Sequence, residues 1–306
     1  MSDIIFEKFQ VEKYADCAIV TDANIASLYN IAGDNVYLLP QGEQAKSFKH
    51  VQALCSWFLS RRLSPNGRVV AVGGGSIGDT VGFATSIYKR GVDVLHVPTT
   101  LVAQIDSSIG GKTAIDLDGV KNAVGTYHFG DTLIDTDFLK TLPDEQLLSG
   151  QGEILKCRML CEHVEKAYNG GKGSLTDLIK ACVNYKQYVC ATDPFCRDIR
   201  NMLNFGHTIG HALELTYGIP HGVAVANGIY YETVLAQQLN ICTREYATKW
   251  LKEVTDTFTI YPLTEQILTL TLNDKKNVNG EVCFVLPDVF NNVFLTLDEV
   301  KKLVND

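Results

Sequence analysis

The stretch RVVAVGGGSIGD at residues 68–79 leads from an apolar run into three spaced glycines, Gly73, Gly75 and Gly78. Their spacing satisfies GxGxxG, a motif in which missing side chains let backbone N–H groups and a helix N-terminus approach a pyrophosphate. The alternative is a tight strand-to-helix turn that needs glycine only for its backbone angles. Asp79 lies beside the glycines, whereas the ribose-binding acid of the common dinucleotide fold stands about 20 residues further along. The stretch therefore predicts a dinucleotide-binding βα unit whose winding differs from the usual one.

Short apolar runs alternate with helical patterns on both sides of this stretch as far as Pro143, which is typical of parallel βα units. The predicted strands cover residues 17–20, 36–39, 69–72, 94–97 and 133–134. The predicted helices between them cover residues 25–31, 48–61 and 80–88. After Pro143, amphipathic helical patterns dominate until a strand-like run at residues 282–286. These patterns cover residues 145–160, 175–192, 198–215, 224–238 and 245–254.

This change near residue 142 divides the chain into two predicted domains. Residues 1–142 are predicted to form a Rossmann-like α/β domain that contains the dinucleotide-binding stretch, and residues 143–306 a mainly α-helical domain. No Ser- or Gly-rich linker and no internal repeat separates the halves. We therefore expect them to share an interface, with the active site in the cleft between the domains.

Composition places the chain among globular proteins. Of its 306 residues, 46% are hydrophobic and 20% are charged, which excludes disordered, collagen-like and coiled-coil proteins. The net charge of −8 disfavours a general nucleic-acid or anionic-membrane surface, so any basic site must be local. The first residues lack the basic segment and apolar core of a signal peptide, and no run approaches the ~20 apolar residues of a membrane span. We expect a soluble, cytoplasmic protein with no nucleic-acid or membrane partner.

The nine cysteines form no CxxC pair, so we expect reduced thiols. Cys157 and Cys161 have the i,i+4 spacing of one helix face, but no second thiol pair follows them. Buried or half-buried thiols are therefore favoured over a metal site.

Histidines cluster in NFGHTIGH, residues 204–211, where His207 and His211 would share one helix face. His221 follows in the sequence PHG, and Glu153 lies upstream in GQGEILK. Two histidines and a carboxylate with an open position describe a catalytic Zn²⁺ site, although a lone histidine on an apolar helix is more often structural. We favour a metal site, but the spacing does not decide which two histidines bind.

Basic residues concentrate in short polar segments near Gly and Asn. The segments DSSIGGKT at residues 106–113 and GVKN at residues 119–122 are typical of anion-holding loops. Singly, each basic residue is typical of a solvated surface, so a site requires several of them to converge. The candidates are Arg90, Lys112, Lys121, Lys156, Lys186 and Arg200.

Together these segments resemble the sugar phosphate cyclases, and among them the 3-dehydroquinate synthase family. The resemblance runs from Asp22 to about Pro287 and rests on many short motifs in the right order, which together are highly specific. The motifs are TDANIASLY, GEQAKSF, GGGSIGDTVGF, YKRG, VPTTLVAQIDSSIGGKTAID, VKNAVG, IDTDFLKTLP, GEILK, RNMLNFGHTIGHALE, HGVAV and LNDKKN.

The resemblance implies binding roles for named residues. Glu153, His207 and His221 would ligate one divalent metal ion, Zn²⁺ or Co²⁺, which leaves His211 for the substrate. The implied NAD-binding residues are Asp22, Asn24, Glu43, Lys46, Gly74, Gly75, Ser76, Asp79, Thr99, Thr100, Lys112, Lys121, Phe138 and Thr141. The implied catalytic and substrate-binding residues are Arg90, Asp106, Lys112, Asn122, Lys156, Lys186, Arg200, Asn204 and His211.

The resemblance implies separate roles for these catalytic and substrate-binding residues. The substrate phosphate would be held by Lys112, Asn122, Asn204 and His211, and the carboxylate and nearby hydroxyls by Lys186 and Arg200. Asp106 and Lys156 would border the reacting carbons. Arg90 would reach in from a neighbouring subunit of a homodimer, and Lys275 or Lys276 would close the site.

The implied reaction belongs to the shikimate pathway of aromatic amino acid biosynthesis. It converts 3-deoxy-D-arabino-heptulosonate 7-phosphate to 3-dehydroquinate and phosphate. NAD⁺ transiently oxidises the C5 alcohol, phosphate leaves, hydride returns and an intramolecular aldol reaction closes the ring, with the metal polarising the alcohol and its ketone. The leaving phosphate itself would help to remove the C6 proton, so the resemblance implies no separate strong base.

The sequence also departs from the family pattern. It looks trimmed at the N-terminal strands, around residues 165–174 and between His211 and His221. Val223 stands where Glu is common, GQGEILKCR replaces GLAEVIKYG, and TYHFG stands where a Gln-Pro pair is frequent. Three alternatives remain: a cyclase acting on sedoheptulose 7-phosphate or glucose 6-phosphate, a metal-dependent alcohol or glycerol dehydrogenase, and a non-catalytic remnant that serves as a binding protein.

Overall fold

Contacts divide the chain into two compact units in the computed structural model, which describes residues 2–169, 173–273, 277–288 and 290–305. One unit comprises Met1–Pro143 with Lys186–Ala191, and the other comprises Asp144–Tyr185 with Thr192–Asp306. The elements of the first unit are β1 (Ile4–Phe6), β2 (Ala18–Asp22), α1 (Ala23–Leu28), β3 (Val36–Leu39), α2 (Phe48–Ser60), β4 (Arg68–Gly73), α3 (Gly75–Ile87), β5 (Asp93–Pro98), β6 (Lys112–Leu117), β7 (Val120–Tyr127) and β8 (Asp131–Ile134).

A six-stranded parallel sheet forms the centre of the first unit. Its strands lie in the order β1-β8-β5-β4-β2-β3. Nearly every residue of β2, β4 and β5 is buried, as expected where helices cover both faces of a parallel sheet. All five predicted strands are present, and the α/β class predicted for this half is confirmed. The three-residue strand β1, which pairs with β8, was not predicted.

The topology creates a binding edge between β2 and β4. From β2 the chain crosses through α1 to β3 on one side, and from β4 it crosses through α3 to β5 on the other. Ligands of open α/β sheets bind outside the carboxyl ends of the strands at such a switch point. Asp22 ends β2 and Gly73 ends β4, so the glycine stretch lies at this point.

Three segments of this unit differ from their predictions. Helix α3 begins at Gly75, five residues before the predicted start, because the glycine turn is itself the first turn of the helix. Helix α1 ends at Leu28, three residues earlier than predicted. Residues 119–122 were predicted as a loop, but β7 begins at Val120 and pairs with β6 in an antiparallel hairpin. That prediction was wrong, since a β-turn at Asp118–Gly119, both with positive φ, lets polar strands pair there.

The second unit is mainly helical. Its helices and strands are α4 (Asp144–Leu160), α5 (Glu162–Asn169), α6 (Leu175–Thr192), α7 (His207–Tyr217), α8 (His221–Gln238), α9 (Arg244–Thr257), α10 (Glu265–Leu270), β9 (Val282–Val285), β10 (Asn292–Leu295) and α11 (Leu297–Asn305). Residues 186–191 of α6 are the short segment assigned to the first unit. The antiparallel pair β9–β10 contains the predicted strand-like run.

The predicted continuous helix over residues 198–215 is broken at Gly206. A 3₁₀ segment covers Ile199–Asn204, and α7 starts only at His207. Gly206 has φ +79°, and a Cβ atom there would lie 2.7 Å from the carbonyl oxygen of Val225. Only glycine suits this left-handed, tightly packed position, so the helix is interrupted there and α7 begins at His207.

All nine cysteines are free, and Cys157 is buried while Cys161 is half-buried, in agreement with the prediction for that pair. Within the described ranges, no helix combines the length and the apolar character that crossing a bilayer requires.

Candidate functional site

The carboxylate of Glu153 is fully buried on α4, and two glycines place it beside α8. A Cβ atom at Gly152 would lie 2.5 Å from the carbonyl carbon of Gly222. The backbone N–H of Gly222 donates a hydrogen bond to Ser149 Oγ at 2.9 Å. Helices α4 and α8 therefore cross in backbone contact, which brings Glu153 next to His221, the first residue of α8.

Glu153, His207 and His221 converge on one point. Their ligand atoms all lie within 4.8 Å of one another. Glu153 Oε1 is 3.5 Å from His207 Nε2 and 3.3 Å from His221 Nε2. His207 Nδ1 donates to the carbonyl oxygen of Phe205 at 3.0 Å, so its Nε2 carries the free lone pair. One carboxylate and two imidazoles are the donor set of a catalytic zinc site with an open position.

Burial and the nearby Lys156 determine the protonation of Glu153 and of the two imidazoles. Lys156 Nζ lies 2.5 Å from Glu153 Oε2. Burial disfavours the carboxylate, but Lys156 and the imidazoles hold the pKa of Glu153 well below its ordinary value. Burial, with the Lys156 charge, lowers the pKa of His207 well below its ordinary value, so this imidazole is neutral. Burial opposes charge on His221, yet hydrogen bonds to Glu153 and Glu214 raise its pKa to about 10. A cation that binds here would displace a proton from His221.

His211 lies one turn further along α7 and is outside this ligand set. Its ring centroid is 5.3 Å from that of His207 and 5.9 Å from that of His221, and its side chain is exposed. The geometry thus brings His207 and His221 together with the carboxylate, and not the i,i+4 pair that the spacing alone left open.

Arg200 and Asn204 lie on the 3₁₀ segment that leads into α7. Arg200 is buried, with Nη1 donating to the carbonyl oxygen of Pro194 at 2.7 Å and its backbone N–H to Asp193 Oδ2 at 3.2 Å. Asn204 Nδ2 donates to the carbonyl oxygen of Asn201 at 3.0 Å. These contacts fix both polar side chains in the same unit as the ligand set.

The glycine turn of the first unit has the form of a phosphate cradle. A Cβ atom at Gly74 would lie 3.0 Å from Thr100 Cγ2, and one at Gly75 would lie 3.0 Å from Ser107 Oγ. Gly74 is the N-cap of α3 and has no side chain to accept from the first N–H groups of the helix. These donors suit an anion at the helix N-terminus.

A buried lysine links this turn to the hairpin. Lys46 Nζ donates to Asp79 Oδ2 at 2.7 Å and to Asn122 Oδ1 at 2.5 Å. The backbone N–H of Asn122 donates to Asp116 Oδ1 at 2.8 Å. Burial raises the pKa of Asp79 to about 6, although Lys46 opposes the shift. Lys46, Asp79 and Asn122 therefore form one cluster, and Glu43 Oε2 lies 3.9 Å from the same Lys46 Nζ.

Asp106 and Lys186 form a second cluster in the first unit. Lys186 Nζ donates to the Asp106 carboxylate at 2.6 Å and to its carbonyl oxygen at 2.5 Å. Asp106 lies in a π-helical turn, Ala103–Ser107, and such turns are frequent at functional sites. Lys112 and Lys121 are exposed on the hairpin β6–β7.

The other predicted NAD-binding residues lie at the carboxyl edge of the sheet. Asp22 caps α1 by accepting from the backbone N–H groups of Asn24 and Ile25. The Tyr29 hydroxyl contacts Thr141 Oγ1 at 2.5 Å. The remaining ones follow β3, β4, β5 or β8 in the chain and are Glu43, Ser76, Thr99, Thr100 and Phe138.

Arg90 is presented by a strained turn at the end of α3. Lys89 has φ +49° and Arg90 has φ +68°, a left-handed conformation that costs energy for residues other than glycine. Lys89 Nζ donates to the carbonyl oxygen of Leu63 at 2.7 Å, while Arg90 is exposed. The predicted Lys275 and Lys276 lie outside the described residues.

Comparisons with known proteins place the chain in a family. Models of the 3-dehydroquinate synthase N-terminal and C-terminal regions match residues 36–149 and 150–277. This chain belongs to the 3-dehydroquinate synthase family. A 3-dehydroquinate synthase from Alkaliphilus metalliredigens is 36% identical over 303 residues, which cover 90% of this family member and 84% of the relative. The predicted family is therefore confirmed.

Solved structures of two synthases share the fold of this family member. A 2-epi-5-epi-valiolone synthase from Streptomyces hygroscopicus with NAD⁺ and Zn²⁺ bound is 26% identical, with a TM-score of 0.81 and coverage of 100% of this chain and 96% of that one. A 2-deoxy-scyllo-inosose synthase complexed with carbaglucose-6-phosphate, NAD⁺ and Co²⁺ is 24% identical, with a TM-score of 0.84 and coverage of 98% and 95%. The second likeness shows the fold alone.

The structure accommodates the departures from the family pattern. Val223 is buried in an apolar cluster with Leu155 and Phe205. Arg158, at the end of GQGEILKCR, binds carboxylates of α5 and α9. Phe129 of TYHFG packs against Gly111, where an added Cβ atom would lie 2.7 Å from Phe129 Cδ1. None of these residues belongs to the ligand set described above.

Sequence reasoning assigned no role to Glu214, although it lies in the quoted motif GHTIGHALE. Its Oε2 is 3.0 Å from His221 Nδ1. The spacing of seven residues from both His207 and His221 would place it on the helix face of His207, but the contact depends on how α7 packs against α8.

Proposed function

We propose that this chain is a 3-dehydroquinate synthase that converts 3-deoxy-D-arabino-heptulosonate 7-phosphate to 3-dehydroquinate and inorganic phosphate. It would be a carbon–oxygen lyase that depends on NAD⁺ and on one divalent cation, Zn²⁺ or Co²⁺. The observation that carries the proposal is the convergence of Glu153, His207 and His221 in a chain whose family models cover residues 36–277. Relatives at 33–41% identity are named 3-dehydroquinate synthase, and this favours that reaction over those of other cyclases.

The residues present fit both groups. The two imidazoles and the carboxylate supply the donors that Zn²⁺ and Co²⁺ accept, and they leave room for a substrate oxygen. The cradle at Gly74 and Gly75, with the N-terminus of α3, fits a dinucleotide pyrophosphate. When bound, NAD⁺ supplies reversible hydride transfer and the cation polarises the alcohol that loses hydride.

The chain's own residues would orient the ligand set and neutralise the substrate. Lys156 Nζ forms an ion pair with Glu153 Oε2, and the other carboxylate oxygen, Oε1, is directed at the two imidazoles. Arg200, which is buried and held by a backbone carbonyl, provides a fixed cation for a carboxylate. Lys112 is exposed at the start of β6, where its ammonium group is accessible to a phosphate.

The role of Asp106 follows from its contacts. Lys186 donates to both the carboxylate and the backbone carbonyl of Asp106, so each side chain fixes the other. We propose that this pair holds substrate hydroxyls in one orientation, because several successive bond changes require one fixed geometry. Arg90 would contribute to the phosphate site of a partner subunit in a homodimer, since it is exposed on its strained turn.

The test is phosphate release by purified protein from 3-deoxy-D-arabino-heptulosonate 7-phosphate with NAD⁺ and Zn²⁺ or Co²⁺. We expect release that a chelator abolishes and that added metal restores. Sedoheptulose 7-phosphate and glucose 6-phosphate serve as matched substrates, and neither should release phosphate at a comparable rate. Release from one of these sugars alone would overturn the substrate assignment, and no release by folded, metal-loaded protein would overturn the enzyme proposal.

A further inference from the structure

His221 is held at both nitrogens of its ring. Nε2 lies 3.3 Å from Glu153 Oε1, and Nδ1 lies 3.0 Å from Glu214 Oε2. Glu214 is on α7 and His221 begins α8, so the contact ties the two helices together at the ligand set. The Glu214 side chain is only 13% exposed, which strengthens a charge-assisted hydrogen bond.

This contact fixes which nitrogen carries the proton. An ionised carboxylate only accepts hydrogen bonds, so Nδ1 of His221 must be the donor. In the neutral imidazole, Nε2 then carries the lone pair, and it is the nitrogen directed at Glu153. A carboxylate behind a metal-binding imidazole fixes its orientation and raises its basicity.

The two imidazoles of the set are supported differently. His207 Nδ1 donates to a neutral backbone carbonyl, that of Phe205, at 3.0 Å. His221 Nδ1 donates to a carboxylate at the same distance. Among the described residues, the partner of His221 Nδ1 is a side chain, so a substitution can remove this support without changing the backbone. Glu214 itself is not among the ligand atoms that converge within 4.8 Å in the described part of the chain.

We propose that Glu214 is a positioning residue of the metal centre. Its carboxylate holds His221 in the Nδ1–H form with Nε2 directed at the cation, and it thereby sets how tightly the cation is held. This inference rests on the proposed function, because it requires that Glu153, His207 and His221 bind a divalent cation.

The test measures metal binding, not turnover. Full-length wild type, Glu214→Ala and Glu214→Gln are stripped of metal, and Zn²⁺ affinity is measured by competition with a chelator. We expect Glu214→Ala to weaken binding by about 10- to 100-fold. Glu214→Gln keeps a neutral acceptor through its amide oxygen and should restore part of that loss, with binding measurably weaker than wild type but by less than about 10-fold. The visible absorption of Co²⁺-loaded protein should change in Glu214→Ala and resemble wild type in Glu214→Gln.

Two variants control for local and charge effects. Leu215→Ala changes the exposed neighbour of Glu214 on α7, and Glu162→Gln removes a carboxylate that is 79% exposed on α5. Both should bind Zn²⁺ as tightly as wild type. Thermal unfolding of the metal-free proteins shows whether each variant is folded.

The outcomes separate the two proposals. Wild type that takes up no stoichiometric Zn²⁺ would overturn the metal centre and this inference with it. Wild-type affinity and an unchanged Co²⁺ spectrum in Glu214→Ala would overturn this inference alone. If metal-free Glu214→Ala does not fold, Glu214→Gln decides, because affinity equal to wild type in that variant would show that the carboxylate charge has no role.

Discussion

The contact between α4 and α8 predicts that Gly152→Ala damages stability and metal binding together. The added Cβ would lie 2.5 Å from the carbonyl carbon of Gly222, about 0.9 Å inside ordinary contact. The atoms that this Cβ would meet are backbone atoms of Gly222, so no side-chain rotation relieves the clash and the two helices must separate. We expect a loss of about 3 kcal/mol in the free energy of unfolding, the upper end for overpacking.

The same displacement separates Glu153 from His221. Metal sites tolerate errors of about 0.2 Å in ligand distance, which is far smaller than the expected shift. Zn²⁺ affinity should therefore fall by at least about 100-fold, more than the loss typical for residues behind the ligands. Chelator competition measures the affinity, and urea titration of metal-free protein measures stability.

Gly173→Ala is the matched control for this substitution. Among the described residues, the atom nearest to a Cβ at Gly173 is the carbonyl oxygen of Ala167 at 3.6 Å, and Gly173 is in the same unit as Gly152. Its stability and Zn²⁺ affinity should equal those of wild type. If the stability and the Zn²⁺ affinity of Gly152→Ala both equal those of wild type, the backbone contact between α4 and α8 does not position the ligand set.

Three further predictions concern other parts of the chain. Burial lowers the pKa of His96 from 6.5 to about 4, so stability is full above about pH 6.5 and falls by about 3 kcal/mol as the pH drops to 4. His96→Leu should flatten this slope in urea titrations at successive pH values. Arg158→Met should cost about 3 kcal/mol in thermal or urea unfolding, because it leaves Glu165 and Glu253 without their buried partner. Lys112→Ala should lower kcat/KM for the phosphorylated substrate by about tenfold or more, mainly through KM, since it removes a charged hydrogen-bond donor.

Each of these predictions can be refuted by one measurement. An unchanged acid slope in His96→Leu would assign the pH dependence to other groups. Wild-type stability in Arg158→Met would mean that its two ion pairs are compensated by water. Equal kcat/KM in Lys112→Ala would remove this lysine from phosphate recognition.

Local patterns were sufficient for the buried strands and the long helices. The apolar runs of β2, β4 and β5 and the glycine turn before α3 follow from residues adjacent in sequence. Strand β1 could not be predicted, because three residues carry little pattern and its partner β8 lies more than 120 residues away. The hairpin β6–β7 is mostly exposed on β7, so it lacks the alternation that marks a half-buried strand.

In the candidate site too, the local motifs could be predicted from the sequence, whereas the tertiary contacts could not. The GxGxxG turn and the histidine cluster were visible as motifs, but spacing alone left open which histidines join Glu153. The choice of His207 and His221 depends on the crossing of α4 and α8 and on the break at Gly206, which are tertiary features. The hydrogen bond between His221 and Glu214 could not be predicted either, because it depends on how α7 packs against α8.

If NAD⁺ acts as a catalyst in a phosphate-eliminating cyclisation, the amount of phosphate released should far exceed the amount of NADH formed, and this ratio is the measurement to make first. Wild type is incubated with 3-deoxy-D-arabino-heptulosonate 7-phosphate, Zn²⁺ and NAD⁺ equal to the enzyme concentration. We predict many phosphates released per NAD⁺ and no accumulation of NADH. One NADH for each substrate oxidised, with phosphate retained on the product, would instead identify a dehydrogenase.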